Sequence, residues 1–517
     1  MRVTTLFLAF ISLLSAGSLP PTERPNILFI FSDDQSWDTL GAIGGEVKTP
    51  NLDRLVQSGV FFQNAYNSGA WQGAVCMASR TMLMTGRQLW QAHRFHQTKE
   101  RDPAAFWSGL FREAGYCTYF AGKWHVSNCK PSSIYDVTGV VRPGMPNYFD
   151  PALGGRYKWN ERGAGYFRPT SEADDSWDPS DPIYGGFWEG GRHWSEVTGD
   201  DGVAFIESAA CSEEPFFMQI AFNAPHDPRQ SPRSFLDQYP LDEVALPENF
   251  LAEQPHAIAM EVAEGMTRDE DLGPFPRTPY SVRKNRQEYF ALITHMDVQI
   301  GRILDALEAS GLMEQTIIVY TSDHGLACGQ HGLMGKQNLY EHSTKVPIIL
   351  SGPGIPKAHT SKALVYLFDL FPTLVDYLKF ETPEGMDGKS LVKVINQKEK
   401  QVRSSSYTAY RNTVRAVRNK DWKLIRYPQI DVTQLYHLEE DPQELNDLSQ
   451  KPAYQTKVEE MMTLLELHKE ATDDTINLNP AQIQSKTYDY KTLVQKLDPW
   501  QPPYIIEKYF PKGTQRK

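Results

Sequence analysis

The stretch "NILFIFSDD" (26–34) joins a short apolar run directly to a pair of aspartates. Three further runs have a similar composition: "CTYF" (117–120), "PFFMQIAF" (215–222) and "TIIVYTS" (316–322). Nearly continuous apolar strands between helical stretches are typical of a parallel sheet whose two faces are both covered by helices. The predicted fold class is therefore α/β, with a large, mostly parallel or mixed sheet between layers of helices.

A long helix and a change in sequence pattern complete the predicted organisation. The segment 286–311 carries one apolar stripe with helical spacing, and Gly311 predicts its end. Further on, the segment 406–427 alternates as antiparallel strands do, and "YQTKVEEMMTLLELHKE" (454–470) is typical of an amphipathic helix. We therefore expect a catalytic domain at 24–384 and a smaller α+β subdomain at 385–517.

The bulk composition limits the classes of partner. The chain has 517 residues and a net charge of −12, which argues against nucleic acid or an anionic membrane surface. Residues 1–18 have the charged start, short apolar run and small residues of a secretory signal peptide. We expect an exported protein, periplasmic or secreted, without a membrane anchor.

The five cysteines do not form an obvious framework. An odd number in an exported chain leaves at least one thiol unpaired or chemically special, and no pair has the spacing of a zinc site. A disulfide between Cys117 and Cys129 would close a short loop, and the sequence leaves this pairing open. The small and polar residues around Cys76 predict that its thiol is exposed, just before a helix.

Ionisable residues follow all four apolar runs. In α/β sheets, sites form where parallel strands end. Each residue alone has an ordinary interpretation: an aspartate caps a helix, a lysine is solvated, and a histidine is hydrogen-bonded in a loop. Their occurrence after four separate strands instead predicts one shared site, which contains Asp33, Asp34, Lys123, His125, His226, Asp323 and His324.

The residue types in this set indicate which chemistry the site supports. Three carboxylates and His324 suit a hard divalent ion, calcium or magnesium rather than zinc. Arg80, Lys123 and Lys336 would surround a tetrahedral oxyanion with positive charge, and two histidines would carry protons. Cys76, near a helix start, lies where the helix dipole favours an anion or a nucleophile. These residues predict a metal-assisted transfer of an anionic group, and leave sulfate and phosphate both open.

The segment "CMASRTMLMTGR" (76–87) resembles the signature of type I, formylglycine-dependent sulfatases, Cys-x-(Pro/Ala)-Ser-Arg followed by Thr-Gly. Further segments match this family in order, among them "PNILFIFSDDQ", "AGKWH", "APHDP", "TSDHG" and "GKQNLYEHSTKVPIIL". The resemblance extends over nearly the whole chain after the signal peptide. It implies an alkaline phosphatase-like fold and the hydrolysis of sulfate esters.

The resemblance also implies a role for each matching residue. A maturation enzyme would oxidise Cys76 to formylglycine, and the hydrate of this aldehyde would be the nucleophile. Calcium would be held by the modified residue 76 together with Asp33, Asp34, Asp323 and His324. The leaving alcohol would be assisted by His226 and Lys336, and the release of sulfate by His125. Arg80 and Lys123 would stabilise the hydrate and the developing charge.

Two positions depart from the family pattern. Ala78 stands where many members have proline, and His324 stands where many have asparagine. An imidazole is a weaker calcium ligand than an amide oxygen, so His324 has two open roles, as a metal ligand or as a sulfate contact.

The substrate is predicted less directly. The aromatic, glycine-rich stretch 131–200 is typical of long loops, in which Trp188 and Trp194 would stack on sugars. Arg192, His193 and Arg411 would bind neighbouring groups of the substrate, although ordinary loop packing and surface charge explain these residues equally well. We expect a sulfated carbohydrate, a polysaccharide or its fragments, rather than an aryl sulfate. Two alternatives stay open: a phosphoester or phosphonate monoester hydrolase, and a non-catalytic binder of sulfated glycans that keeps the Cys76 thiol.

Overall fold

The computed structural model describes residues 24–98, 102–146, 148–150, 155–157, 177–262, 267–484 and 503–509. The predicted signal peptide, and parts of the predicted loops at 131–200, lie outside the described residues. In the described part of the chain, no helix is long and apolar enough to cross a membrane.

The strands alternate with helices through the first part of the chain and follow one another near its end. The strands are β1 Asn26–Ser32, β2 Gly59–Tyr66, β3 Gly69–Ala70, β4 Cys117–Lys123, β5 Val137–Arg142, β6 Tyr148–Asp150, β7 Gly155–Tyr157, β8 Trp188–Glu189, β9 Arg192–His193, β10 Phe216–Ala221, β11 Thr316–Ser322, β12 Ile348–Ser351, β13 His359–Tyr366, β14 Ser406–Tyr410, β15 Val414–Arg418, β16 Trp422–Tyr427 and β17 Val432–His437.

The helices are α1 Pro50–Ser58, α2 Val75–Thr85, α3 Leu89–Gln97, α4 Trp107–Glu113, α5 Pro131–Ile134, α6 Trp194–Ala209, α7 Arg233–Leu236, α8 Pro279–Ala309, α9 Glu341–Thr344, α10 Leu370–Tyr377, α11 Val392–Ile395, α12 Gln455–Ala471 and α13 Pro503–Tyr509. The predicted long helix is α8. It starts before residue 286 because Thr278 caps it by accepting a hydrogen bond from the backbone N–H of Ser281, and Pro279 follows at the first position. It ends before Gly311, which has a φ of 74°.

The four predicted strands lie side by side in one eight-stranded sheet. Its order is β13-β2-β12-β11-β1-β10-β4-β5. The strands β11, β1, β10, β4 and β5 are parallel, whereas β12 is antiparallel to both of its neighbours. The sheet is thus mixed and mostly parallel, and this confirms the predicted α/β class.

Both faces of this sheet are buried, as the continuous apolar runs require. On β1, Phe29 and Phe31 face one core, which includes Trp107 of α4. The alternating residues Leu28 and Ile30 face the other core, which includes the apolar stripe of α8. This burial fixes the register of β1 between its neighbours and therefore fixes where its carboxyl end lies.

The C-terminal part forms a second sheet, in the order β17-β16-β15-β14-β3. The strands β14, β15, β16 and β17 pair in antiparallel fashion, and the alternation in residues 406–427 predicts the first three of them. The apolar side of α12 packs on these strands through Met461 and Leu465. The short strand β3, Gly69–Ala70, joins this sheet in parallel with β14. One strand of the C-terminal sheet therefore comes from the segment that directly precedes α2.

No disulfide joins Cys117 and Cys129. Cys117 begins β4, whereas Cys129 follows the end of the same strand at Lys123. Trp124, just past the end of β4, donates a hydrogen bond from Nε1 to the backbone oxygen of Cys129 at 2.7 Å. Cys129 therefore lies at the opposite end of the strand from Cys117, and a strand of seven residues is roughly 20 Å long, beyond the span of a disulfide.

Candidate active site

Strand order brings the predicted site residues together. The strand β1 lies between β11 and β10, and all three run in the same direction. Their carboxyl ends therefore meet at one edge of the sheet, where Asp33, Asp34 and Asp323 follow β1 and β11 directly. All three carboxylates are buried, and such burial is costly unless positive charges lie close by.

Two of these carboxylates share a buried guanidinium. Arg80 Nε lies 3.1 Å from Asp323 Oδ2, and its Nη2 atom lies 3.4 Å from Asp33 Oδ1. Asp33 also forms an ion pair with Lys123, and the Arg80 guanidinium stacks over the Phe31 ring. Burial alone would raise the pKa of Asp323, but the charge of Arg80 outweighs it and holds that pKa well below its usual range. Asp323 is thus held ionised.

Asp34 lies at the centre of a second group of charges. Lys336 Nζ lies 2.8 Å and 2.6 Å from its two carboxylate oxygens. His226 Nε2 and His324 Nε2 each lie 3.4 Å from one of these oxygens. Although burial opposes ionisation, His226 and Lys336 lower the pKa of Asp34. Asp34 has a φ of 71°, a left-handed conformation that is uncommon outside glycine and aims its side chain into this group.

Cys76 is the second residue of α2, and its sulfur reaches the same centre. Its Sγ atom lies 2.9 Å from Lys336 Nζ, 3.5 Å from Asp34 Oδ1 and 3.8 Å from His324 Nε2. The expectation of an exposed thiol is wrong, because the residue is only 2% exposed. Its small neighbour Ala78 is buried as well, in an apolar cluster with Ala70 of β3. Burial, followed by the charges of Asp323 and Asp33, raises the pKa of the thiol far above its ordinary value, so the thiol stays protonated.

His125 lies beyond the end of β4 in a restricted position. Its backbone has a φ of 53°, and Gly144 packs so closely that a side chain there would meet the imidazole ring at 2.8 Å. Burial, and then the charges of Lys123 and Arg80, lower the pKa of His125 well below its ordinary value. Its ring is therefore neutral at neutral pH and is able to accept a proton.

A cleft of about 380 Å³ leads down to this centre. Cys76, His125, His226 and Lys336 lie along its wall, together with Arg411. Sequence reasoning missed several residues that also line the cleft: Arg268, Asp269, Gln337 and Tyr410. Gln337 and Tyr410 are the sequence neighbours of the predicted Lys336 and Arg411, so the sequence offered a signal for both. No local pattern distinguishes Asp269 from other acidic residues. Its carboxylate is buried and accepts a hydrogen bond from Gln337 Nε2 at 2.8 Å.

The predicted substrate contacts from the loops are not among the residues that line this cleft. Arg192 is exposed and forms an ion pair with Asp200. His193 is fully buried, where its Nδ1 accepts a hydrogen bond from the backbone of Ser195 and caps α6. Trp194 is buried under the Arg142 guanidinium, and Trp188 donates a hydrogen bond to the backbone of Pro179.

The donor set fits a hard cation. Asp34, Asp323, His324 and Cys76 each offer a ligand atom, and these atoms all lie within 4.8 Å of one another. Asp33 belongs to a neighbouring set with Cys76 and His226. Half of the six different residues in these two sets are aspartates, whose carboxylate oxygens are preferred ligands of calcium and magnesium.

The comparisons with known proteins agree with this geometry. Residues 25–380, more than half of the chain, match the sulfatase family. The chain belongs to the sulfatase family. Residues 329–471 of this sulfatase also match the C-terminal part of N-sulphoglucosamine sulphohydrolases. The enzyme is thus a sulfuric ester hydrolase with an alkaline phosphatase-like fold, as the sequence predicts.

Individual relatives cover most of this sulfatase. An N-acetylglucosamine-6-O-sulfatase from Bacteroides thetaiotaomicron is 28% identical over 90% of each chain. A solved structure in complex with its substrate D-glucosamine-2-N,6-O-disulfate has a TM-score of 0.66 and 24% identity, and the match covers 87% of this chain and 99% of that one. The phosphonate monoester hydrolase of Silicibacter pomeroyi has a TM-score of 0.69 at 19% identity, and the match covers 87% and 96% of the two chains. At these identities the two structures show the shared fold.

Proposed function

We propose that this sulfatase removes sulfate from a carbohydrate ester, with a formylglycine made from Cys76 and a calcium ion; magnesium is the second candidate. The observation that carries the proposal is the position of Cys76 Sγ, which lies 2.9 Å from Lys336 Nζ and 3.5 Å from Asp34 Oδ1 at the base of the cleft. The buried thiol is held protonated and is a poor nucleophile there. Oxidation to an aldehyde that hydrates would replace it with hydroxyl groups at the same position.

The proposed metal would be held by Asp33, Asp34, Asp323, His324 and residue 76. When bound, it would supply positive charge next to the sulfate oxygens. The acidic character of this donor set supports the proposal, since Asp34 and Asp323 offer buried carboxylates to one group of close ligand atoms and Asp33 offers a third to the neighbouring group.

The neighbouring side chains suit the three proton transfers of sulfate ester hydrolysis. One hydroxyl of the hydrated residue 76 would give its proton to Asp323 and bond to sulfur while the bond between sulfur and the alcohol oxygen breaks. His226 would give the alcohol its proton: Nδ1 donates to the backbone oxygen of Asp227 at 2.8 Å, and Nε2 faces the centre. The neutral His125 would take a proton from the second hydroxyl, so that sulfate leaves and the aldehyde forms again.

The cations would hold the sulfate group. Lys336 reaches both residue 76 and Asp34, and it would balance charge on the departing oxygen. Arg80 and Lys123 lie on the other side of the carboxylates and would stabilise the charge that develops at residue 76.

The carbohydrate substrate is supported by the relative from Bacteroides thetaiotaomicron, whose name gives N-acetylglucosamine 6-sulfate as its substrate class. A test compares hydrolysis of N-acetylglucosamine 6-sulfate, an aryl sulfate and the matched phosphate ester by the mature enzyme. We expect the highest kcat/KM for the sulfated sugar. A preference for the phosphate ester would favour the phosphoester hydrolase alternative, and binding without turnover would favour the glycan binder.

We also propose that the protein is exported after removal of residues 1–18, to the periplasm or outside the cell, and that a formylglycine-generating enzyme acts on it. Because Cys76 is 2% exposed, the modification would precede the completion of folding. The test is the fraction of aldehyde formed when the maturation enzyme is supplied during synthesis or only after purification. We expect conversion in the first case alone.

A further inference from the structure

A second cleft, of about 480 Å³, lies between the eight-stranded sheet and the C-terminal sheet. Its volume is in the range of about 300–1,000 Å³ that is usual for ligand sites. The wall on one side comes from β2 and β13, and the wall on the other from residues that follow β15 and β17. It shares no lining residue with the cleft that leads to Cys76.

Positive charge dominates this second cleft. Three carboxylates line it, those of Glu341, Asp421 and Glu439. Six cations line it, and we call it the basic cleft after them: Lys345, Lys362, Lys400, Arg403, Arg418 and Lys420. In a chain with a net charge of −12, such a local excess is the feature that would attract an anion.

Half of the six cations are neutralised within the protein. Arg403 forms a two-pronged ion pair with Asp369, at 2.5 Å and 2.8 Å. Arg418 lies 3.5 Å from Glu341, and Lys420 lies 3.3 Å from Asp421. The other three, all lysines, have no carboxylate of the described residues within 4.0 Å of their ammonium groups.

Lys345 is the informative member of this trio because it is buried, with 6% of its surface exposed. Its Nζ atom lies 3.5 Å from the centre of the Trp37 ring, and both residues line the cleft. Burial lowers the pKa of Lys345 to about 8, so it still carries its proton at pH 7. The charges of Glu341 and Asp38 offset part of the cost of burying this cation, and contact with the indole face offsets a further part. The arrangement leaves an ammonium at the wall of the cleft that an incoming anion would pair.

Lys362 and Lys400 extend this charge toward the solvent. Both side chains are exposed and line the same cleft. The cleft thus offers one buried and two exposed ammonium groups. This arrangement suits an anion with several oxygens that is part of a larger molecule, because the buried lysine binds the anion while the two exposed lysines contact the remainder of that molecule.

We propose that the basic cleft binds a sulfate group of a saccharide chain, as a second site separate from the catalytic cleft. The identity of the ligand rests on the proposed function, whereas the existence of an anion site rests on Lys345 and its neighbours alone. A chain held there by one sulfate group would stay bound while another of its sulfate esters is hydrolysed. The chemical alternative is the free sulfate ion that the reaction releases.

The test is a calorimetric titration of the full-length chain carrying Cys76→Ala, which lacks the nucleophile and does not consume the ligand. The probes are a heparin-derived tetrasaccharide, its desulfated counterpart and sodium sulfate. We expect a binding event for the sulfated tetrasaccharide that weakens at least about fivefold in K362Q/K400Q, and that weakens with added salt. Lys345→Met, which keeps the contact with Trp37, is expected to have the same effect. Lys357→Gln, at an exposed lysine outside the basic cleft, is the matched control and is expected to change nothing.

Each other outcome contradicts a stated part of the proposal. Equal affinities in the parent, K345M and K362Q/K400Q would overturn the basic cleft as a binding site. Equal binding of the desulfated tetrasaccharide would overturn recognition of sulfate. Sodium sulfate binding as tightly as the tetrasaccharide would overturn the saccharide in favour of the free ion. Because turnover is measured separately on the mature enzyme, these failures are distinct from a failure of the proposed function.

Discussion

Lys336 Nζ lies 2.9 Å from Cys76 Sγ, although the two residues are 260 positions apart in the chain. The same ammonium lies 2.6 Å from Asp34. Burial alone would lower its pKa, but the charge of Asp34 outweighs burial and raises this pKa well above the ordinary lysine value. Residue 76 is thus held next to a permanent positive charge. This contact unites the helix α2, the end of β1 and the loop after β11 in one catalytic centre.

The contribution of these buried charges to the free energy of unfolding can be measured at Arg80 and Asp323, whose side chains are fully buried. Arg80→Met leaves Asp323 without its main partner and removes one of the two cations beside Asp33, so we expect the free energy of unfolding to fall by about 3–5 kcal/mol. The double variant R80M/D323N should be at least about 1 kcal/mol more stable than the sum of the single effects predicts. Urea unfolding measures both values.

A matched control for this cycle is the exposed ion pair of Arg54 and Asp305, which are 43% and 67% exposed. Arg54→Met should change the free energy of unfolding by less than about 1 kcal/mol. An equal loss for R54M and R80M would contradict the role of the buried network.

The pH dependence of activity should reflect the neutral state of His125. Its pKa is lowered well below 6.5 by burial and by Lys123 and Arg80. A base whose pKa is lowered stays unprotonated as the pH falls through 6.5. The decline in kcat/KM that protonation of His125 causes should therefore occur only at lower pH. His125→Gln should reduce kcat by about 10²–10⁴-fold. A His125-dependent decline centred at pH 6.5 or above would contradict this assignment.

Removal of the proposed metal should lower stability as well as activity. A bound cation would add to the attraction that Arg80, Lys123 and Lys336 already provide to the three buried carboxylates, so a chelator should lower the Tm and added calcium should restore it. Saturation at about 100 times the Kd corresponds to about 2.7 kcal/mol of stabilisation. Asp34→Asn should abolish this effect, whereas His324→Asn should keep it, because an amide oxygen replaces the imidazole. A Tm that is insensitive to chelator and calcium would exclude a stabilising metal.

The rim of the cleft offers a test of substrate contacts. Arg411 lines the cleft and is 42% exposed, with Glu261 as its ion-pair partner. Arg411→Ala should raise KM for a sulfated sugar about tenfold with little change in kcat, since the contact is the same in the ground and transition states. Arg192→Ala removes an arginine that pairs with Asp200 away from the cleft and should change neither constant. A KM effect at Arg192 alone would reverse this assignment.

The sequence predicted the strands that carry the site because their signals are local. The runs at β1, β4, β10 and β11 are predominantly apolar, and each is followed by ionisable residues. Strand pairing is a non-local property, so the antiparallel position of β12 and the addition of Gly69–Ala70 to the C-terminal sheet were not predicted.

The site itself was predictable as a set of residues, but its environment was not. The burial of Cys76 depends on how α2 packs against the sheet, and Asp269 reaches the cleft through a segment without a recognisable pattern. The positions of His193 and Trp194 were also not evident, because the same side chains suit a buried helix start and a sugar-binding loop. Only the packing distinguishes these two environments.

The proposed nucleophile is tested most directly by the mass of the tryptic peptide Leu55–Arg80, from protein produced together with a formylglycine-generating enzyme. We predict that the thiol of Cys76 is replaced by an aldehyde that a hydrazide captures, and that the converted protein hydrolyses a sulfated sugar. An unmodified cysteine, under conditions in which a known sulfatase is converted, would contradict the proposed nucleophile.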